Sequence, residues 1–224
     1  MKAARTFDMS RDLGALVGAI AVASAGAAIL MFVQLGSLSG HMVAHIGSMN
    51  VVAPVAAVAI GRHFLKHSGA STGGLWLVTV GQMALLWASH SPAIHHAAQS
   101  PLSQVALHIA LFLSAVTFWM CIVAASSHWQ AMLALLVSGK FACLLGALLI
   151  FAPRLLFDTA ASPHGTHAMP FGHAALSDQQ LAGLLMIAAC PLSYVLTAIV
   201  LAAQTMAGLE RAHVPAFSTA PIER

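Results

Sequence analysis

Charge is what this sequence has least of. Only 7% of its 224 residues are Asp, Glu, Lys or Arg, whereas 59% are apolar and the mean hydropathy is +0.87. A soluble domain carries roughly a quarter of its residues charged, so the composition excludes one and implies an integral membrane protein. Cysteine is nearly as scarce. Cys121, Cys143 and Cys190 fall inside apolar runs with no C-x-x-C pair, which argues against disulfides and for small packing side chains. Strand-like alternation is missing, which argues against a β-barrel. No aromatic-basic surface accompanies the pI of 9.1, so nucleic acid is not an expected partner. There is no nucleotide-binding loop, no Ser-His-Asp set and no internal repeat, and the chain reads as a non-enzyme.

What is present is length in the apolar runs. A bilayer-spanning helix needs about 20 apolar residues. Segments 13–35, 41–61, 74–89, 101–125, 130–152 and 179–205 qualify, the third being short. They predict an all-α bundle of about six transmembrane helices over 13–207, between a leader at 1–12 and a tail at 208–224. The run from Leu13 to Leu35 is longer than a signal-peptide core, and Gly36-Ser37-Leu38 is a poor cleavage site, so it reads as retained. Its stripe of Gly14, Gly18, Ala21, Ala25 and Ala28 suits close helix contact. Lys2, Arg5, Arg11, Arg62, Lys66, Arg211 and Arg224 fall on one side of such a bundle, while Arg154 falls on the other and Lys140 within the fifth segment. That asymmetry predicts a multi-pass membrane protein, set among lipid, with both termini cytoplasmic.

Histidine is plentiful, at 13 residues, and unevenly spread. His41, His45, His90, His95, His96, His108, His164, His167 and His173 fall at or near the predicted outer face. His41 and His45, in Gly40-His41-Met42-Val43-Ala44-His45, lie about one turn apart on one helix face. Burying ionisable groups where a span meets water is costly, which points to a ligand between the rings. His63 and His67 repeat the spacing, but beside Arg62 and Lys66 they read as a basic interfacial cuff. No Glu lies between His41 and His45, so a zinc-protease helix is excluded.

Other signals concern packing. Pro54 predicts a kink in the second segment. Ser100-Pro101 is a capped helix start. Trp119 and Trp129 bracket an inner helix end as belt aromatics do. The stretch 154–177 reads as a mobile loop with His164, His167, Met169 and His173, either a metal-gathering flap or a polar connection. Ser177-Asp178-Gln179-Gln180 predicts the start of the sixth helix, with the Asp178 carboxylate favoured by the N-terminal dipole and close to the outer histidines.

Four blocks together resemble the CtaG-like integral membrane family of cytochrome c oxidase assembly factors. They are His41-Met42-Val43-Ala44-His45 leading to Ala53-Pro54; Leu86-Trp87-Ala88-Ser89-His90-Ser91-Pro92; His108 through Phe118-Trp119; and Asp178-Gln179-Gln180-Leu181-Ala182-Gly183-Leu184-Leu185-Met186. The last is the most specific. Ile46 stands where many members are expected to have Met, and His95 where an aromatic is expected; members commonly have additional helices. The Cys-Phe-Cys motif of a single-span copper chaperone that shares the family's name is absent.

The resemblance implies a role in maturing a haem-copper oxidase, with copper ion as the metal and oxidase subunits or copper chaperones as partners. Imidazole suits both copper states and thioether favours copper(I). The expected site comprises His41, His45 and His108, with His90 a further candidate, and Asp178 as a fourth ligand or as a group orienting an imidazole. Two other readings stay open. One is a haem-binding electron-transfer protein using His45 and His108 as axial ligands. The other is a metal permease, for which the inner half offers only scattered groups such as Lys140.

Overall fold

The computed structural model describes residues 38–64, 70–97, 100–153, 155–156 and 171–213, and among them the chain is helical apart from short connections. The elements are α1 (Leu38–Gly47), a π-helical turn (Ser48–Val52), α2 (Ala53–Phe64), α3 (Thr72–Ser89), α4 (Pro92–Ala97), α5 (Pro101–Val123), α6 (His128–Phe151) and α7 (Phe171–His213). The all-α membrane expectation holds. Four helical stretches of the described chain are long and apolar enough to cross a membrane: Leu38–Gly61, Leu102–Val123, His128–Phe151 and Ala175–Arg211. The expected first span, 13–35, lies outside the described residues, as do most of the 154–177 stretch and His67. The 74–89 segment is a helix, Thr72–Ser89, but it is not among these four. Gln82, Thr79 and three glycines dilute its apolar character.

The helices close around one another. The α1–π–α2 stretch packs against α5 and α7, α3 packs against α5 and α6, and the most extensive contact joins α6 to α7. Two glycines explain that last contact. A Cβ built on Gly183 would lie 2.6 Å from the Gly146 carbonyl oxygen, and one built on Gly146 would lie 2.9 Å from the Gly183 carbonyl oxygen. Only residues without a side chain allow two backbones so close, the usual device where no hydrophobic force separates helix from lipid.

The kink expected at Pro54 takes a specific form. Pro54 has no N–H to return to the preceding turn. The chain meets this with the π turn just before it, where Ala53 donates to the Ser48 carbonyl, five residues back. The carbonyl that Pro54 would reach in the same register is that of Met49, and it accepts instead from Trp119 Nε1 of α5 at 3.1 Å. Trp119 is therefore no belt residue. It is 2% exposed, on the stripe of Leu111, Phe112, Ala115, Phe118 and Ile122 that α5 turns to the core. Trp129, by contrast, is exposed. Pro191 raises the same problem inside α7, where the Cys143 thiol of α6 donates to the freed Ile187 carbonyl at 3.9 Å.

This pairing gives a test. Trp119→Phe keeps the ring but orphans the Met49 carbonyl, and loss of a buried partner costs about 1–3 kcal/mol. Adding Pro54→Ala supplies a new backbone N–H in reach of that carbonyl and should recover part of the loss. Thermal unfolding in detergent should show the double variant more stable than Trp119→Phe alone; strictly additive losses would refute the pairing.

The last helix departs furthest from expectation. It runs from Phe171 to His213, not 179 to 205, so Asp178 lies two turns inside it and cannot cap it. Nothing but Pro191 interrupts helix-compatible sequence between Pro170 and Pro215, and α7 tolerates Pro191.

Candidate metal centre

One end of the bundle gathers the imidazoles. α1 carries His41, half-buried, and His45, 4% exposed, on adjacent turns. α3 stops where Pro92 disfavours continued helix at Ser91, which leaves His90 as its C-cap. α5 starts at the Ser100 cap, whose side chain accepts from the Ser103 amide, and brings His108 in two turns later. The result is two edge-to-face pairs across helices. His41 faces His108 with ring centroids 5.1 Å apart, and His45 faces His90 at 5.5 Å. His45 lies within electrostatic reach of all three other rings. Sequence spacing linked His41 to His45 and left His90 peripheral; in the fold His90 is a full member of the layer.

Backbone contacts fix the tautomers of two rings. His108 Nδ1 lies 2.6 Å from the Gln104 carbonyl oxygen, and His90 Nδ1 lies 2.8 Å from the Leu86 carbonyl oxygen. A carbonyl can only accept, so each Nδ1 carries the proton and each neutral ring keeps its lone pair on Nε2. Metal-binding imidazoles are commonly held by such a bond from the other ring nitrogen. His45 Nε2 is buried with no hydrogen-bond partner among the described residues. Met42, 1% exposed, belongs to the same helix face. Among the described residues no three His, Cys, Asp or Glu side chains are placed so as to hold a metal ion together.

Asp178 reaches this end in an unforeseen way. Its carboxylate accepts from the Leu38 amide at 2.7 Å, from the Ser39 amide at 3.3 Å and from the Ser39 hydroxyl. A group on α7 thus caps α1, at the end where a helix leaves its first N–H groups unpaired and attracts negative charge. The rest of the Asp-Gln-Gln-Leu-Ala-Gly block is equally architectural. Gln179, 1% exposed, accepts from the Leu156 amide at 2.8 Å and donates to the Leu149 carbonyl at 3.2 Å, while Ala182 is fully buried. Gly183 makes the close approach to α6. The block locks α7 to α1 and to the end of α6. One sequence does not tell a capping carboxylate from a ligating one. The side chains of His63, His95, His96 and His173, and all of His164 and His167, lie outside the described residues.

An all-α membrane bundle with a histidine layer at one end defines the class: a multi-helix membrane protein that gathers imidazoles at one end of the bundle. The chain belongs to the cytochrome c oxidase caa3 assembly factor family (Caa3_CtaG), whose model matches residues 2–207. No curated protein and no solved structure matches it.

Proposed function

We propose that this assembly factor takes up copper at the imidazole layer and hands it to a subunit of a haem-copper oxidase. His41, His45, His90 and His108 would hold the ion. The observation that carries the reading is His45 Nε2, buried without a hydrogen-bond partner among the described residues and within reach of three other imidazoles. A polar nitrogen in that state is unfavourable unless something polar joins it, and a soft or borderline cation suits it. Thioether and imidazole donors also suit copper(I) as cargo, the thioether as a soft ligand and the imidazole as one that accepts copper. In this reading Asp178 acts by setting the start of α1, and so the position of His41 and His45, without binding the ion.

The orientation belongs to the same proposal. The Lys/Arg asymmetry supports an imidazole end facing outward from a bacterial inner membrane, with both chain termini in the cytoplasm. There copper chaperones would meet it as donors and the oxidase subunit as acceptor. Its part is delivery, without catalysis.

In a strain whose oxidase depends on this protein, His45→Ala should leave the oxidase deficient in copper and activity at limiting copper, with recovery when copper is in excess. His128→Ala, at the opposite end of the bundle, should have no effect. Normal oxidase activity in the His45→Ala strain at limiting copper would refute the proposal.

A further inference from the structure

Beneath the imidazole layer the bundle holds a second set of polar groups that the copper reading does not use. Asn50 of the π turn, Gln82 of α3, Ser138 of α6 and Tyr194 of α7 are 7%, 1%, 0% and 3% exposed. Asn50 and Gln82 are placed against the Cys190–Tyr194 turn of α7, and Ser138 neighbours Gly139, the α6 residue nearest the Tyr194 ring. The Tyr194 ring stacks on Trp119 of α5, centroids 5.6 Å apart and planes 10° from parallel. A Cβ on Gly139, next to Ser138, would touch the same ring at 3.6 Å. The Tyr194 hydroxyl faces Gln82, and Asn50 faces the Cys190 thiol one turn before Tyr194.

These groups do not satisfy one another. Asn50 Oδ1, both Gln82 amide atoms and Ser138 Oγ are buried without a hydrogen-bond partner among the described residues. The Gln82 amide offers two donors and an acceptor, whereas Tyr194 offers one hydroxyl and Cys190 a weak donor. Protein amides buried in this state are usually bridged by ordered water, each molecule making about three hydrogen bonds. A charged ligand finds no counter-charge here, since the cluster is composed of neutral amides, hydroxyls and a thiol.

We propose that Asn50, Gln82, Ser138 and Tyr194 form an internal hydration site, a chamber that holds ordered water in the middle of the bundle below the imidazoles. Water there completes the hydrogen bonds of four packed elements at the level where the π turn breaks regular pairing. The site is independent of copper. Its ligand is neutral, and its residues are not those of the imidazole layer.

Radiolytic hydroxyl-radical footprinting in oxygen-18 water tests it, because a radical formed from bound water labels its immediate neighbours even where bulk solvent is excluded. Copper-free full-length protein in detergent should incorporate heavy oxygen at Tyr194 within a millisecond pulse. The yield should fall several-fold in Gln82→Leu, which keeps the volume but removes the amide, and also in the milder Ser138→Ala. Absence of heavy oxygen at Tyr194 in the unsubstituted protein overturns the site whatever the variants do. Equal labelling in the unsubstituted protein and both variants overturns it as well.

Discussion

Gly183→Val should be among the most damaging single substitutions in this protein, lowering stability by about 3 kcal/mol, the upper end of the usual penalty for overpacking. The reason is local and geometric. Even the first added carbon would lie 2.6 Å from the Gly146 carbonyl oxygen, 2.8 Å from Ile150 Cγ1 and 3.0 Å from Leu149 Cβ. The oxygen is backbone and cannot rotate away, so α6 and α7 would have to separate. That loosens the most extensive helix contact among the described residues and with it the Gln179 bonds to Leu149 and Leu156. Gly81→Ala is the control: nothing lies within 4 Å of a Cβ at that position, and Ala is the better helix former by about 0.5–1 kcal/mol. Thermal unfolding of the purified variants should therefore move in opposite directions. A Gly183→Val protein as stable as the parent would mean that the two helices do not touch there.

Asp178→Ala should do two kinds of damage at once. Three hydrogen bonds end on this one carboxylate, and bonds to charged groups contribute about 1.5–3 kcal/mol each, though not additively. A net loss of about 3 kcal/mol is expected, concentrated in the first turn of α1. The second effect is functional. His41 and His45 stand on the first turns of that helix, so a frayed start displaces two of the four imidazoles. Misplacing the supports of a metal site typically costs 10–100-fold in affinity. Asp178→Asn distinguishes capping from charge. The amide oxygen still accepts from the Leu38 amide, so Asn should retain most of the stability and most of the copper affinity, and Ala should lose both. If Asn and Ala were equally deficient in copper binding, the charge itself, and not the cap, would be what the site requires.

Much of this architecture is legible in one dimension, and the exceptions share a cause. Continuous apolar runs located α5 and α6 to within two residues, because burial in lipid leaves no other way to use them. The Ser100-Pro101 start was equally plain, since capping is a local interaction. What could not be read was which local signal a distant helix would complete. Asp178 carries a helix-start signature, yet the start it serves is 140 residues away. Trp119 looked interfacial because it stands near a helix end, whereas its partner is a carbonyl released by a proline on another helix. His90 looked marginal for the same reason: its neighbour in space, His45, is nowhere near it in sequence. Pro170 and Pro215 lie on either side of α7, Phe171–His213, in the sequence. The polar residue pair 177–178 was a stronger apparent boundary only while its carboxylate had no other known use.

The proposed delivery of copper to the oxidase requires that the imidazole layer bind the ion. Copper(I) titration of the purified protein against a competing chelator tests it most directly, with X-ray absorption to report the donor atoms. The account predicts a copper ion bound through nitrogen-rich coordination, with affinity reduced at least about tenfold in His45→Ala, as loss of part of a metal site does, and unchanged in His128→Ala. Equal copper affinity in the parent and the His45→Ala protein would contradict it.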